Sequence, residues 1–214
     1  MDNPVFGESR RAVGDVLEST DAIDLTLRKT GGPLAFEVGL FYQDVSDYIF
    51  ARLIETERES GVAHNFLAYT AADVRFAGID GQVGYQLTAA SRITLFGDHV
   101  HARMKDGNDR LPRIPRGRLG ARYERNWGPL AAELEFVRTF GQDRIASYET
   151  ETAGYNLLNA TVAYRFVMGA RKSMELYARG TNLTNELAFA HTAFVKDQSP
   201  LRGRSIAFGL RHAF

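Results

Sequence analysis

The chain has 214 residues with 26 basic and 26 acidic side chains, a formal net charge of zero with His neutral, which excludes a nucleic-acid binder held by phosphate charge. The length fits one ordinary domain or a piece of something larger. Zero cysteines exclude a disulfide scaffold, a zinc-thiolate site and a thiol nucleophile.

The chain opens with MDNPVFGESRRAVGDVLEST, which lacks the basic start and apolar stretch of a signal peptide. No run reaches the roughly 18 to 20 apolar residues of a membrane helix. Membrane β-strands alternate apolar and polar residues and escape that test. Such alternation begins near residue 23 and recurs to the C-terminus. Ile23, Leu25 and Leu27 oppose Asp24, Thr26 and Arg28; Leu34, Phe36, Val38, Leu40 and Tyr42 oppose Glu37, Phe41 and Gln43. Ile79, Val83, Tyr85 and Leu87 oppose Asp80, Gln82 and Gln86, and a fourth strand runs over 92–103. Leu119, Ala121 and Tyr123 then oppose Arg116, Arg118, Arg122 and Glu124, and Leu130, Ala132, Leu134 and Phe136 oppose Glu133 and Glu135. Strands over 155–166, 173–182 and 205–214 complete nine, the last setting Ile206, Phe208, Leu210, His212 and Phe214 on one face. Residues two apart share a face of a strand, so each segment has one greasy and one polar side.

The connections alternate too. TGGP, TAAS, NWGP and VMGAR make short turns, whereas 45–72, 104–114, 142–153 and 184–202 read as long loops. This is the layout of an outer-membrane barrel with short periplasmic turns and long extracellular loops. The apolar face then meets lipid, and the polar face lines a wet lumen. Arg118 and Arg122 are placed to pair with Glu133 and Glu135 across the sheet. The predicted class is all-β: an antiparallel up-and-down transmembrane β-barrel, incomplete because nine strands leave open edges that lipid does not tolerate.

Longer stretches of the chain resemble a family. GTNLTNELAFAHTAFVKDQSPLRGRSIAFGLRHAF looks like the closing end of a TonB-dependent outer-membrane receptor, and DAIDLTLRKTGGPLAFEVGLFYQDVSDYIF resembles the hairpin before a large extracellular loop in it. FAGIDGQVGYQL resembles the strand after that loop, and RIPRGRLGARYERNWGPLAAELEFVRTFGQDRIASYETETAGYNLLNATVAYRF looks most like the zinc-uptake branch. The resemblance implies a bacterial outer-membrane receptor of about twenty-two strands with a plug inside the barrel and a TonB-contacting segment. Residues 1–214 would be the C-terminal part of the barrel, its last nine strands, without the plug, and Met1 would be an internal start. The implied partners are outer-membrane lipid, the missing strands and plug, TonB, and a metal ion or metal chelate such as zinc or a siderophore. No nucleic acid and no resident cofactor are expected.

Other motifs weigh less. Gly78, Gly81 and Gly84 do not have dinucleotide-loop spacing, and the Asn159 and Asn182 acceptor patterns for glycosylation fit chance better. His99 and His101 share one face at a spacing that can chelate zinc, but the alternation puts them on the outer wall near the extracellular interface. His191, in the loop 184–202, and Asp197 beside it are the candidate metal ligands, with His64, Glu149 and Glu151 as partners from neighbouring loops. No catalytic set assembles, so the chain is not read as an enzyme. A free-standing small barrel, structural or adhesive, and a barrel enzyme stand as alternatives. Phe214 is expected to govern insertion.

Overall fold

In the computed structural model, residues 16–59, 62–107, 109–169 and 172–213 are described. They form one antiparallel sheet in strict chain order. Its strands are β1 (Ser19–Lys29), β2 (Leu34–Glu59), β3 (Val62–Thr88), β4 (Ser91–Met104), β5 (Arg118–Trp127), β6 (Leu130–Thr139), β7 (Tyr155–Val167), β8 (Ser173–Thr181) and β9 (Ser205–Ala213). One 3₁₀ turn, Lys196–Gln198, is the only helical piece among the described residues. Among them no helix is long and apolar enough to cross a membrane. Among the described residues β9 does not pair with β1, so the sheet is an open wall.

The wall has the two faces that the alternation requires. Leu25, Leu40, Ile79, Leu95, Leu119, Leu134, Val162, Leu176 and Phe208, one from each strand, stand exposed on one side. Burying such a face away from water is worth about 25 cal/mol per Å². Phe214 lies outside the described residues.

The other side carries the charge. Arg122 Nη2 donates to Glu135 at 2.6 Å and Arg122 Nε lies 3.8 Å from Glu133, as the register Arg122↔Glu135 dictates. Arg118 departs from expectation: its register partner on β6 is Thr139, and it donates instead to Asp98, directly opposite on β4. Three strands share a second network, in which Arg165 and Arg211 each donate to Glu175 at 3.2 Å. The glycines on this side make room for rings. A Cβ on Gly78 would run into the Phe41 ring, and Gly120 and Gly209 lie as close beneath Phe96 and Tyr177. Ring over glycine on the neighbouring strand fixes register, and this explains Gly78 without a nucleotide.

The predicted loop 45–72 is corrected. β2 and β3 continue through it as one long hairpin of 26 and 27 residues. At about 3.3 Å per residue, with 9 to 11 residues enough to cross a bilayer, roughly 50 Å of hairpin rises past the other strands. Two bulges in β2 hid it, because each shifts the alternation by one. Ser46 and Asp47 together face Asp73, with Asp47 at φ 58° and its N–H donating to the Asp73 carboxylate at 3.1 Å. Ile54 is squeezed out between Leu53 and Glu55.

A small core anchors this hairpin. Val45, Phe50, Val74 and Leu111 are buried together, and Tyr48, Phe76 and Met104 pack against them. Leu111 comes from the β4–β5 loop, so the loop is pinned to the hairpin base by apolar burial. The sheet thus has a plain short-turn end and an elaborated long-loop end.

Candidate binding mouth at the long-loop end

Three loops meet at that end: 105–117, 140–154 and 182–204. Each is held by side chains that satisfy neighbouring backbone. Gln142 and Thr152 exchange backbone hydrogen bonds at 2.8 and 3.0 Å, pinching the second loop at its neck. The Gln142 side chain donates to Ile114 O at 2.6 Å, and Tyr148 donates to Ala51 O at 2.8 Å. Glu149 accepts from the Arg113 amide at 2.9 Å and the Ala146 amide at 3.0 Å. These contacts join the first loop, the second loop and the hairpin.

The third loop starts at Asn182, buried and left-handed at φ 49°. Its N–H donates to Asn159 Oδ1 at 3.0 Å, its Oδ1 accepts from Glu186 N at 2.8 Å, and its Nδ2 donates to Glu186 O and Arg202 O. One side chain therefore ties both ends of the loop together. Asn159 also donates to Glu135 at 3.1 Å, which connects the loop base to the lumenal ion pairs. Asn159 and Asn182 have this structural use where the sequence offered only a modification pattern.

His191 is 8% exposed. Its Nδ1 lies 2.9 Å from Thr152 Oγ1 and its Nε2 lies 3.7 Å from Glu149. Burial pushes the Glu149 carboxyl up, but the His191 contact and the two amides outweigh it and hold the group below the ordinary carboxylate range. Asp197 accepts two 2.9 Å contacts from the Thr150 hydroxyl and one of 3.2 Å from buried Lys196, and these hold it low as well. Lys196 also donates to Thr150 O at 2.8 Å. The structure brings His191 and Glu149 together and puts Asp197 on the same pair of loops. Glu151 is exposed, and the His64 side chain lies outside the described residues. Among the described residues no three His, Asp or Glu side chains gather closely enough to hold a metal ion. Thr150, Thr152, Tyr148 and Lys196 were not legible as site residues, since their partners lie 39 to 97 positions away.

Beneath the third loop is a cleft of about 280 Å³ lined by His191, Phe189, Phe140, Tyr155, Arg118 and Asp98. It continues down the wall toward a larger polar hollow of about 460 Å³ around Arg118, Arg122, Glu135, Glu37 and Asp80. Cation, carboxylate, imidazole and aromatic groups thus line the mouth and the upper lumen. His99 and His101 lie outside this mouth, exposed on the apolar side as expected, with His99 Nδ1 hydrogen-bonded to Arg116 O.

Known proteins share this architecture. The copper transporter OprC is similar with a TM-score of 0.79 at 19% identity over 92% of this chain and 32% of that one. The ferric citrate transporter FecA, unliganded, gives 0.69 at 17% identity over 96% and 32%. The pyoverdine outer membrane receptor FpvA from Pseudomonas aeruginosa PAO1, bound to pyoverdine, gives 0.63 at 11% identity over 90% and 29%. At these identities the likeness is one of fold, and the chain spans about a third of each neighbour's length. Residues 11–183 match the TonB dependent receptor-like, beta-barrel family. With its exposed apolar wall, its long-loop end and that match, the chain belongs to the TonB-dependent receptor β-barrel family of the bacterial outer membrane.

Proposed function

We propose that this chain is the C-terminal part of the barrel of a receptor that takes up a metal ion or metal chelate across the outer membrane. The observation that carries the reading is the mouth, where three loops folded on one another present His191 and aromatic rings above a charged lumen, with Asp197 on the same loop as His191. The neighbours are named for copper, ferric citrate and pyoverdine, which supports metal cargo as a class. The unpaired edges of β1 and β9 among the described residues support completion by further strands of the same receptor, because open backbone is costly in lipid. The polar lumenal wall supports a plug inside it, and uptake would then be driven through TonB.

Within this reading, His191 and Asp197 are the metal-contacting residues, and zinc, the branch that the sequence resembles, is the first cargo to test. Two protein donors do not fill a four-coordinate shell. The remaining positions are then filled by water or by further protein donors. Calorimetry on the full-length receptor with free zinc, free copper and a ferric chelate tests the assignment. Changing His191 and Asp197 to Ala should weaken binding of the free metal by about tenfold or more and spare the ferric chelate. Unchanged metal affinity would make both residues loop scaffold and return the cargo to a chelate read by other groups.

A further inference from the structure

Both residues assigned to the metal already have partners, and those partners sit on one short segment of the 140–154 loop. His191 meets Thr152 through Nδ1 at 2.9 Å and Glu149 through Nε2 at 3.7 Å. Asp197 accepts from the Thr150 hydroxyl at 2.9 Å on each carboxylate oxygen. Beside it stands Lys196, only 6% exposed. Its ammonium donates to Asp197 Oδ1 at 3.2 Å, to Thr150 O at 2.8 Å and to Thr150 Oγ1. An ammonium has three protons to donate, and these three acceptors take them all. The 182–204 loop is thus laid on its neighbour by the same side chains that the cargo requires.

Geometry and charge both oppose a metal ion in this arrangement. Thr150 and Thr152 are two residues apart, about 6 to 7 Å along an extended chain, and each holds one of the two ligands. Two donors on one zinc, with bonds of about 2.0 to 2.2 Å, stand only about 3 to 4 Å from each other. While the loop lies on both threonines, one ion does not reach both ligands. Charge acts in the same direction, because Lys196 already supplies Asp197 with a cation and repels a second one brought to the same oxygen. A buried ammonium there does not steady a metal ligand as a hydrogen-bonding partner would; it takes the metal's place.

We propose that Lys196, with Thr150 and Thr152, sets the affinity of this site as a resident competitor, and that a metal ion binds His191 and Asp197 together only by displacing all three and lifting the middle of the 182–204 loop. The ties at Asn182 lie at the base of that loop and touch neither ligand, so they hold while the middle moves. Binding and the loop contacts are then coupled with opposite sign: whatever weakens the contacts tightens the metal, and the metal loosens the contacts. The inference rests on the assignment of His191 and Asp197 to the metal.

The test uses the full-length receptor with free zinc as the probe. Spin labels carried on Arg144→Cys and Gln198→Cys, exposed positions of the two loops, report their separation, and zinc should lengthen it. That measurement leaves every contact between the loops in place. Calorimetry then compares wild type with Lys196→Met and with T150V/T152V, each of which should bind zinc more tightly by on the order of tenfold. An unchanged or shortened separation with zinc bound overturns the proposal, and so does zinc affinity that is equal or weaker in K196M, since a preformed site steadied by these residues would give those results. H191A/D197A separates this from the assignment beneath it. Zinc affinity unchanged in that variant removes the site and the competition with it, whereas affinity lost there and unaltered in K196M refutes the competition alone.

Discussion

Single side chains at the loop end each hold several backbone groups. Glu149 satisfies two amides from different loops and faces His191; changing it to Leu leaves both amides unpaired, at about 1 to 3 kcal/mol each. Limited proteolysis should then cut 140–154 rapidly in an otherwise folded receptor, and resistance equal to wild type would show that the amides find water. Because the folded carboxyl titrates below its ordinary value, its contribution is present at neutral pH and is lost as pH falls through the lowered pKa. Asn182→Ala should free both ends of the 182–204 loop at similar cost, seen as faster amide exchange at Glu186, whose N–H Asn182 accepts, and at Leu201, whose N–H bonds Ala188 O across the loop. Unchanged exchange at both would mean that Asn182 is not the tie. Of this, the sequence offered only His191 and Asp197 in one long loop with Glu149 on a neighbouring one, because hydrogen bonds spanning dozens of positions leave no local pattern.

At the scale of elements the sequence was more open. Period two shows wherever one face meets lipid, so Leu134 and Leu158 on one side and Glu135 on the other could be assigned from spacing alone. The long hairpin escaped because its bulges at Ser46, Asp47 and Ile54 break the alternation, and its upper half has no lipid to demand one. The choice of Asp98 over Glu133 or Glu135 by Arg118 comes from register, which turn lengths set and composition does not. Leu134→Arg or Leu158→Arg should block assembly, since a cation at mid-bilayer costs about 2 to 4 kcal/mol, whereas Glu135→Ala, in a wet lumen, should assemble. Heat-modifiable mobility of the membrane-inserted receptor reads this, and equal tolerance of all three would contradict the facing. Leu111→Ala should loosen the hairpin base by about 2 to 5 kcal/mol, raising protease sensitivity of 105–117 without loss of the barrel band.

For the whole molecule, the central claim is that one continuous sheet face lies against lipid and the other lines a polar lumen. The chain contains no cysteine, so any cysteine introduced is unique within it. In the full-length receptor reconstituted in bilayers, an environment-sensitive fluorophore is placed in turn at Leu134, Leu158 and Phe208, and at Glu135, Asn159 and Arg211. Quenching by lipids brominated on the acyl chains is then measured for each. Strong quenching at the first three and weak quenching at the second three is the predicted result; quenching without that alternation, or with the two sets reversed, would contradict it.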